Sequence, residues 1–384
     1  MKLGLGSGKS CTVGAWGIAG LVGLLLTQLQ AYAAVPAGYT VQTVDIPVNA
    51  IVFDPVNSQL LASVPSRAGL GLGNTVSQID PTSGSVVSSV FIGSEPTALG
   101  LSEDSKYLYV GMMGAPLVRR YDVFNHVAGP QFSLGSDSFL GPFYAESIAV
   151  QPGNDNVIAV ARQNVGFSPR HEGVAIYDNG VARPVQTGPH TGSNSIVFGA
   201  NGSTLYGYNN ETTDFGFRRM TVDANGIVIT DVTSGLIGGF GATIQYGGGL
   251  VFSSNGKVID PSVPMLIGSY VSPTSFSYLT AIALDLAHGM VYGIDSGDEL
   301  TIFDADTFVP IQTYSLEGVF GSAGQLVYLN DGELALSMAD TGQLYLLRAV
   351  PEPAAYLTLL VGIALVAAFV RPRSRRADAA KQLP

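Results

Sequence analysis

The sequence predicts an all-β body, a seven-bladed β-propeller of four-stranded blades, flanked by a signal peptide and a C-terminal single transmembrane helix. Short apolar segments recur as AIVFDP, ALGLSE, SIAVQP, SIVFGA, TIQYGG, AIALDL and QLVYLN. Aligned on Ile51, Leu99, Ile148, Ile196, Ile244, Ile282 and Leu326, they lie 48, 49, 48, 48, 38 and 44 residues apart. Units of that length are what propeller blades look like in sequence. The 48 Gly and 21 Pro follow no collagen period and mark many turns between short strands. With 46% hydrophobic and only 12% charged residues among 384, the chain is too apolar to be disordered and long enough for a large core.

The first segment, residues 1–33, has the layout of a secretory signal. Lys2 and Lys9 precede an apolar run from Val13 to Leu26, and Ala31-Tyr32-Ala33 supplies an A-x-A cleavage site at Ala31 and Ala33. An N-terminal anchor is the competing reading, but the run is only 14 residues and contains four glycines. Cys11 precedes the run, where a lipid-attachment cysteine would follow it. Gly6-Ser7-Gly8-Lys9-Ser10 mimics the tail of a phosphate loop, yet Leu3 stands where its first glycine belongs, and no strand precedes it.

The body spans residues 34–350, with repeats starting near 50, 98, 147, 195, 243, 281 and 325. Once the ends are set aside it holds 11 basic and 27 acidic residues, a net charge of −16. No nucleic-acid partner is expected, because phosphate binding needs clustered Lys and Arg. The body has neither Cys nor Trp, since Cys11 and Trp16 both lie in the signal, so it must be held by its core. Within the repeats a second strand follows a polar turn, as in KYLYVG, NVIAVA, STLYGY, GMVYGI and ELALSM. A third strand ends in Asp at a hairpin, giving Asp80, Asp122, Asp178, Asp223, Asp260 and Asp304. The seventh repeat ends after QLYLLRAV without a fourth strand, and Tyr39–Val48 alternates like a strand that could complete it. Such closure would hide exposed sheet edges. The segment Asn74–Gly111 resembles the YVTN-type propeller repeat, a relative of WD-repeat propellers. That resemblance implies a fold and no particular chemistry.

The C-terminus reads Pro351-Glu352-Pro353, then the uncharged run 354–370, then Arg371, Arg373, Arg375 and Arg376, with a tail at 377–384. Seventeen apolar residues make about 25 Å of helix, the short end of a bilayer span, and the basic cluster is a stop-transfer signal that places the tail in the cytoplasm. In order and spacing, residues 351–376 resemble the PEP-CTERM sorting signal of Gram-negative bacteria. The resemblance implies processing by an exosortase, a membrane peptidase, after transient single-pass anchoring. It further implies release to the cell surface or medium and a link to exopolysaccharide and biofilm.

Catalytic motifs are sparse. No G-x-S-x-G elbow, H-E-x-x-H or EF-hand loop occurs, and no cofactor or metal is expected. His126, His171, His190 and His288 fall in expected loops without metal-ligand spacing. The hairpin aspartates suit turn-capping, and the pairs Arg119-Arg120 and Arg218-Arg219 suit solvated faces or partners for nearby Asp. In a propeller the inner strands line a central channel, which makes the residues two positions before the aligned apolar ones its mouth. Asn49, Thr97, Glu146, Asn194 and Thr280 are polar there, beside Ala242 and Gly324. A ring of amides, hydroxyls and one carboxylate suits a sugar or hydrated cation, or merely satisfies backbone groups at strand starts. Two functions follow. One is a non-enzymatic surface or matrix module binding polysaccharide, protein or a small ligand; the other is an exported hydrolase or lactonase with a channel-mouth metal.

Overall fold

A computed structural model describes residues 35–274, 278–351 and 362. The signal segment 1–33, Glu352, Pro353 and the Arg cluster lie outside the described residues. Among the described residues no helix is long and apolar enough to cross a membrane.

Residues Gly38–Val350 form one compact unit of seven four-stranded antiparallel sheets. The inner strands, which open blades 1 to 7, are Ala50–Asp54, Pro96–Leu101, Tyr144–Gln151, Ser195–Phe198, Ile244–Gly247, Leu279–Asp285 and Ala323–Tyr328. They start within three residues of the repeat starts read from the sequence. In blades 1 to 6 the four strands follow in chain order from the inside outward. The short, Gly-rich blade 5 is complete, with Leu250–Ser253, Lys257–Asp260 and Met265–Ser269 outside its inner strand. In blade 3 the fourth strand shrinks to Val181–Ala182. The chain then leaves to bridge blade 4 in parallel at Val185 and Gly226. Gly226 is required there: at φ +142° any Cβ would lie 1.9 Å from the Val185 carbonyl oxygen.

Blade 7 closes the ring. Its fourth strand is the N-terminal Gly38–Val44, antiparallel to Leu344–Val350 in register Gly38↔Val350 to Val44↔Leu344. The strand stops at Val44, short of the expected Val48. There the chain turns inward and buries Ile46 and Val48 among Leu60, Val64, Leu344 and Leu346.

Each blade is sandwiched between two others, so its middle strands are buried on both faces and read as unbroken apolar runs rather than alternating ones. In blade 1, Leu60 and Ala62 pack with Leu344 and Leu346 of blade 7, while Leu61 between them packs with Leu108 and Val110 of blade 2. Blades 3 and 4 meet through Ala159, Ile176, Leu205 and Met220, and blades 5 and 6 through Phe252, Val258, Val291 and Phe303.

Five of the six hairpin aspartates cap their turns. Asp80 accepts from Thr82 N at 2.9 Å, Asp122 from Asn125 N at 2.8 Å, Asp223 from Asn225 N at 2.8 Å, Asp260 from Ser262 N at 2.9 Å and Asp304 from Thr307 N at 2.8 Å. Asp178 differs, because Arg183 takes both its carboxylate oxygens at 2.8 and 2.9 Å.

Candidate functional site at the channel mouth

The seven inner strands enclose a channel of about 700 Å³. Each presents an unpaired ladder edge to it, and buried backbone groups need partners. Side chains from neighbouring blades supply several. Gln325 Oε1 accepts from Ile51 N at 2.8 Å, Ser195 Oγ from Ile244 N at 3.0 Å and Ser147 Oγ from Ile196 N at 3.4 Å. Gln245 Nε2 donates to Ile282 O at 3.0 Å. Most of the channel polarity thus stitches blade to blade.

The mouth residues divide by the same test. Asn49, Thr97, Glu146, Asn194 and Gly324 line the channel, whereas Thr280 and Ala242 line a separate recess. Thr280 sits at a bulge between Leu279 and Ala281, as Glu146 and Gly324 sit at bulges in their own strands, and it donates to Ile294 O at 3.2 Å. Asn49 Nδ2 donates to Pro96 O at 2.8 Å and Thr97 Oγ1 to Gly111 O at 3.3 Å, so both serve backbone. Only Glu146 and Asn194 meet, and they do so with residues the sequence did not single out.

Glu146 sits at the bulge between Ala145 and Ser147 in the blade 3 inner strand. Arg170, from the loop between Asn154–Gln163 and His171–Asp178, donates Nε to Glu146 Oε1 at 2.8 Å, and its Nη2 lies 2.6 Å from the same oxygen. Glu211, after strand Thr204–Tyr208, accepts from Arg170 N at 2.6 Å, with Arg170 Nη1 3.7 Å away. Asn194 Nδ2 reaches Glu146 Oε2 at 3.0 Å and Glu211 Oε2 at 3.2 Å. Burial pushes the Glu146 carboxyl above its ordinary range despite Arg170 and Asn194, with the Glu211 charge adding to the rise. Two carboxylates share one guanidinium, so the cluster carries one net negative charge.

Around it lies a concentration of buried polar atoms without hydrogen-bond partners. Arg162 Nε, Asn164 Nδ2 and Oδ1, both ring nitrogens of His171, Glu172 Oε1, Ser193 Oγ, Asn194 Oδ1, Asn210 Oδ1 and Arg218 Nε make ten of the sixteen such atoms among the described residues. All belong to blades 3 and 4 at the end where their inner strands begin. Left unpaired, each such atom would cost on the order of 1–3 kcal/mol, so the concentration calls for partners such as ordered water or a ligand.

His171 corrects the sequence expectation of a solvated loop histidine. It is 1% exposed and opens the strand His171–Asp178. Burial, reinforced by the charges of Arg218, Arg162, His190 and Arg170, lowers its pKa to about 3. The imidazole therefore stays neutral while an unfolded chain would protonate near pH 6.5. Between those values the unfolded state binds a proton that the native state refuses, so stability falls as pH drops, on the order of 1.4 kcal/mol per pH unit. Replacing His171 by Leu is expected to flatten that slope between pH 6.5 and 5, read by urea melts at stepped pH. An unchanged slope would place the titration elsewhere.

Of the basic pairs, Arg218 and Arg219 partner nearby Asp as expected, whereas Arg119 and Arg120 are held by a backbone carbonyl and an aromatic ring. Arg218 pairs with Asp214 at 2.8 Å and Arg219 with Asp231 at 3.6 Å. Arg120 lies 4.1 Å over the Tyr107 ring and Arg119 Nε donates to Gly129 O at 3.0 Å.

No protein-family model matches the chain, and no curated protein does. Among solved structures, the β-propeller domain of Myceliophteria thermophila Cps50 (Swd1) is similar, with a TM-score of 0.61 at 16% identity. The match covers 80% of this chain and 99% of that one. At that identity the likeness shows the fold, a β-propeller, and nothing of its chemistry.

Proposed function

We propose that this chain is an exported β-propeller, directed by residues 1–33 and sorted by the Pro351–Arg376 segment as an exosortase substrate. Its propeller then serves at the cell surface or in the matrix as a binding module for a polysaccharide. One observation carries the binding role: a closed ring holds a channel of about 700 Å³ whose polar groups are mostly spent on the scaffold, except at blades 3 and 4. The alternative of a metal-dependent hydrolase or lactonase needs convergent ligands. Among the described residues no group of three or more His, Cys, Asp or Glu is disposed to hold a metal. The body charge of −16 argues against acidic polysaccharide and favours a neutral or cationic one.

Titration calorimetry of the purified protein against neutral, acidic and amino-substituted glycans tests this. A neutral or cationic glycan is expected to bind, and Glu146→Ala is expected to weaken it at least fivefold. Turnover of a lactone or ester at a rate that follows added metal would replace this function with the hydrolytic one.

A further inference from the structure

We propose that the blade 3–4 side of the channel mouth is a subsite for a primary ammonium group, such as that of an amino sugar, held by the Glu146–Glu211 pair and the side-chain oxygens of Asn194 and Asn210. The inference rests on the binding role above and names the chemistry of its ligand.

The orientation of both amides is decided by their partners. Asn194 Nδ2 faces the carboxylates of Glu146 and Glu211, which only accept, so its Oδ1 must be the other atom. Asn210 Nδ2 donates to the Ala242 carbonyl at 3.0 Å, which settles its Oδ1 in the same way. Both residues line the channel, both are at least nine-tenths buried, and neither Oδ1 has a hydrogen-bond partner. The Asn194 amide and Arg170 Nε donate to carboxylates, and the Asn210 amide donates to a backbone carbonyl. On the channel lining, these two asparagines therefore present acceptors beside one net negative charge.

An ammonium group has three donors and no acceptor, and its charge neutralises the excess carboxylate. A neutral hydroxyl offers one donor where an ammonium offers three, and it brings no charge to balance the excess carboxylate. A divalent cation such as Ca²⁺ takes six to eight oxygens. The mouth supplies two amide oxygens and two carboxylates, one of them bound at close range to Arg170.

The test is calorimetry on the full-length chain with a chitosan tetramer, its fully N-acetylated counterpart, spermidine and CaCl₂. The free-amine tetramer is expected to bind at least tenfold more tightly than the acetylated one, and spermidine is expected to compete with it. Glu146→Gln, which keeps the shape and removes the charge, and Asn210→Ala, which removes an acceptor, should each lower amine affinity at least fivefold. Equal affinity for both tetramers would overturn the ammonium subsite while leaving a polysaccharide-binding channel standing. So would amine binding that ignores both substitutions, or Ca²⁺ binding that Glu146→Gln abolishes. Failure of every glycan and of spermidine to bind would overturn the subsite and the channel together.

Discussion

A chain that begins after Val48 is expected not to form the closed propeller. The segment removed contains the whole fourth strand of blade 7, Gly38–Val44, and the buried side chains of Val44, Ile46 and Val48. Fully burying such a side chain is worth about 1.5–3 kcal/mol, so the three together approach the whole stability of an ordinary domain, about 5–15 kcal/mol. The polar ties go with them. Gln42 Oε1 accepts from Arg348 Nη2 at 2.8 Å, Tyr39 Oη donates to Gly332 O at 3.0 Å, and Val48 N donates to Gly342 O at 2.8 Å. Arg348 also reaches Pro81 O at 2.7 Å, and Gln42 Nε2 reaches Ser83 O at 2.7 Å, so the same residues clamp blade 7 to blade 1. Exposed edges of Leu344–Val350 would then invite aggregation. Comparing urea melts and dye binding of chains starting at residues 34 and 49 checks this. Equal midpoints would mean that the ring holds without its clasp. Ile46→Ala is the milder version, expected to cost about 2–5 kcal/mol by leaving a cavity in that core.

The second large effect concerns the proposed sorting segment. Seventeen apolar residues span a bilayer only marginally, so retention leans on the cations that follow. Each Arg costs about 2.5–3.5 kcal/mol at a helix centre on translocon scales, and four of them should hold the tail on the cytoplasmic side. Replacing Arg371, Arg373, Arg375 and Arg376 by Ser is expected to let the tail slip through or misplace cleavage. Replacing Pro351 and Glu352 should leave anchoring intact and block processing, so that a membrane-bound, unprocessed form accumulates. In the proposed sorting role, the prolines at 351 and 353 would serve to disfavour helix where a peptidase grips. Fractionation and mass measurement in a host carrying an exosortase read the result. Normal release of both variants would mean that the segment is an ordinary anchor.

The sequence by itself determined the blade count from its repeat spacing, and the closure by the N-terminal strand from the missing last strand and the alternation of Tyr39–Val48. Those features depend on local patterns: an apolar run, a polar turn, a capping Asp. Periodicity places Ile51 and Ile148 on equivalent strands, and Asp80 and Asp304 at equivalent turns, whatever the ring does. Blades 4 and 5 follow too, since each keeps its turns although Gly dilutes its strands.

The site was legible only in outline. Two of the mouth residues, Glu146 and Asn194, form part of one cluster, but Arg170, Asn210 and Glu211 are loop residues with no motif to mark them. Glu146 and Arg170 are brought together by the hairpin of blade 3, while Asn194, Asn210 and Glu211 come from blade 4. Thr280 lines a separate recess rather than the channel, and no alternation pattern records that. His171 looked like a loop histidine because Pro169 and Arg170 precede it, yet the strand begins at His171 itself and the packing of blade 3 on blade 4 buries it. Strand identity is a property of neighbouring residues, so sequence determines it. Burial, charge pairing and the direction a side chain faces depend on which blades the closed ring sets side by side, and only the tertiary structure decides that.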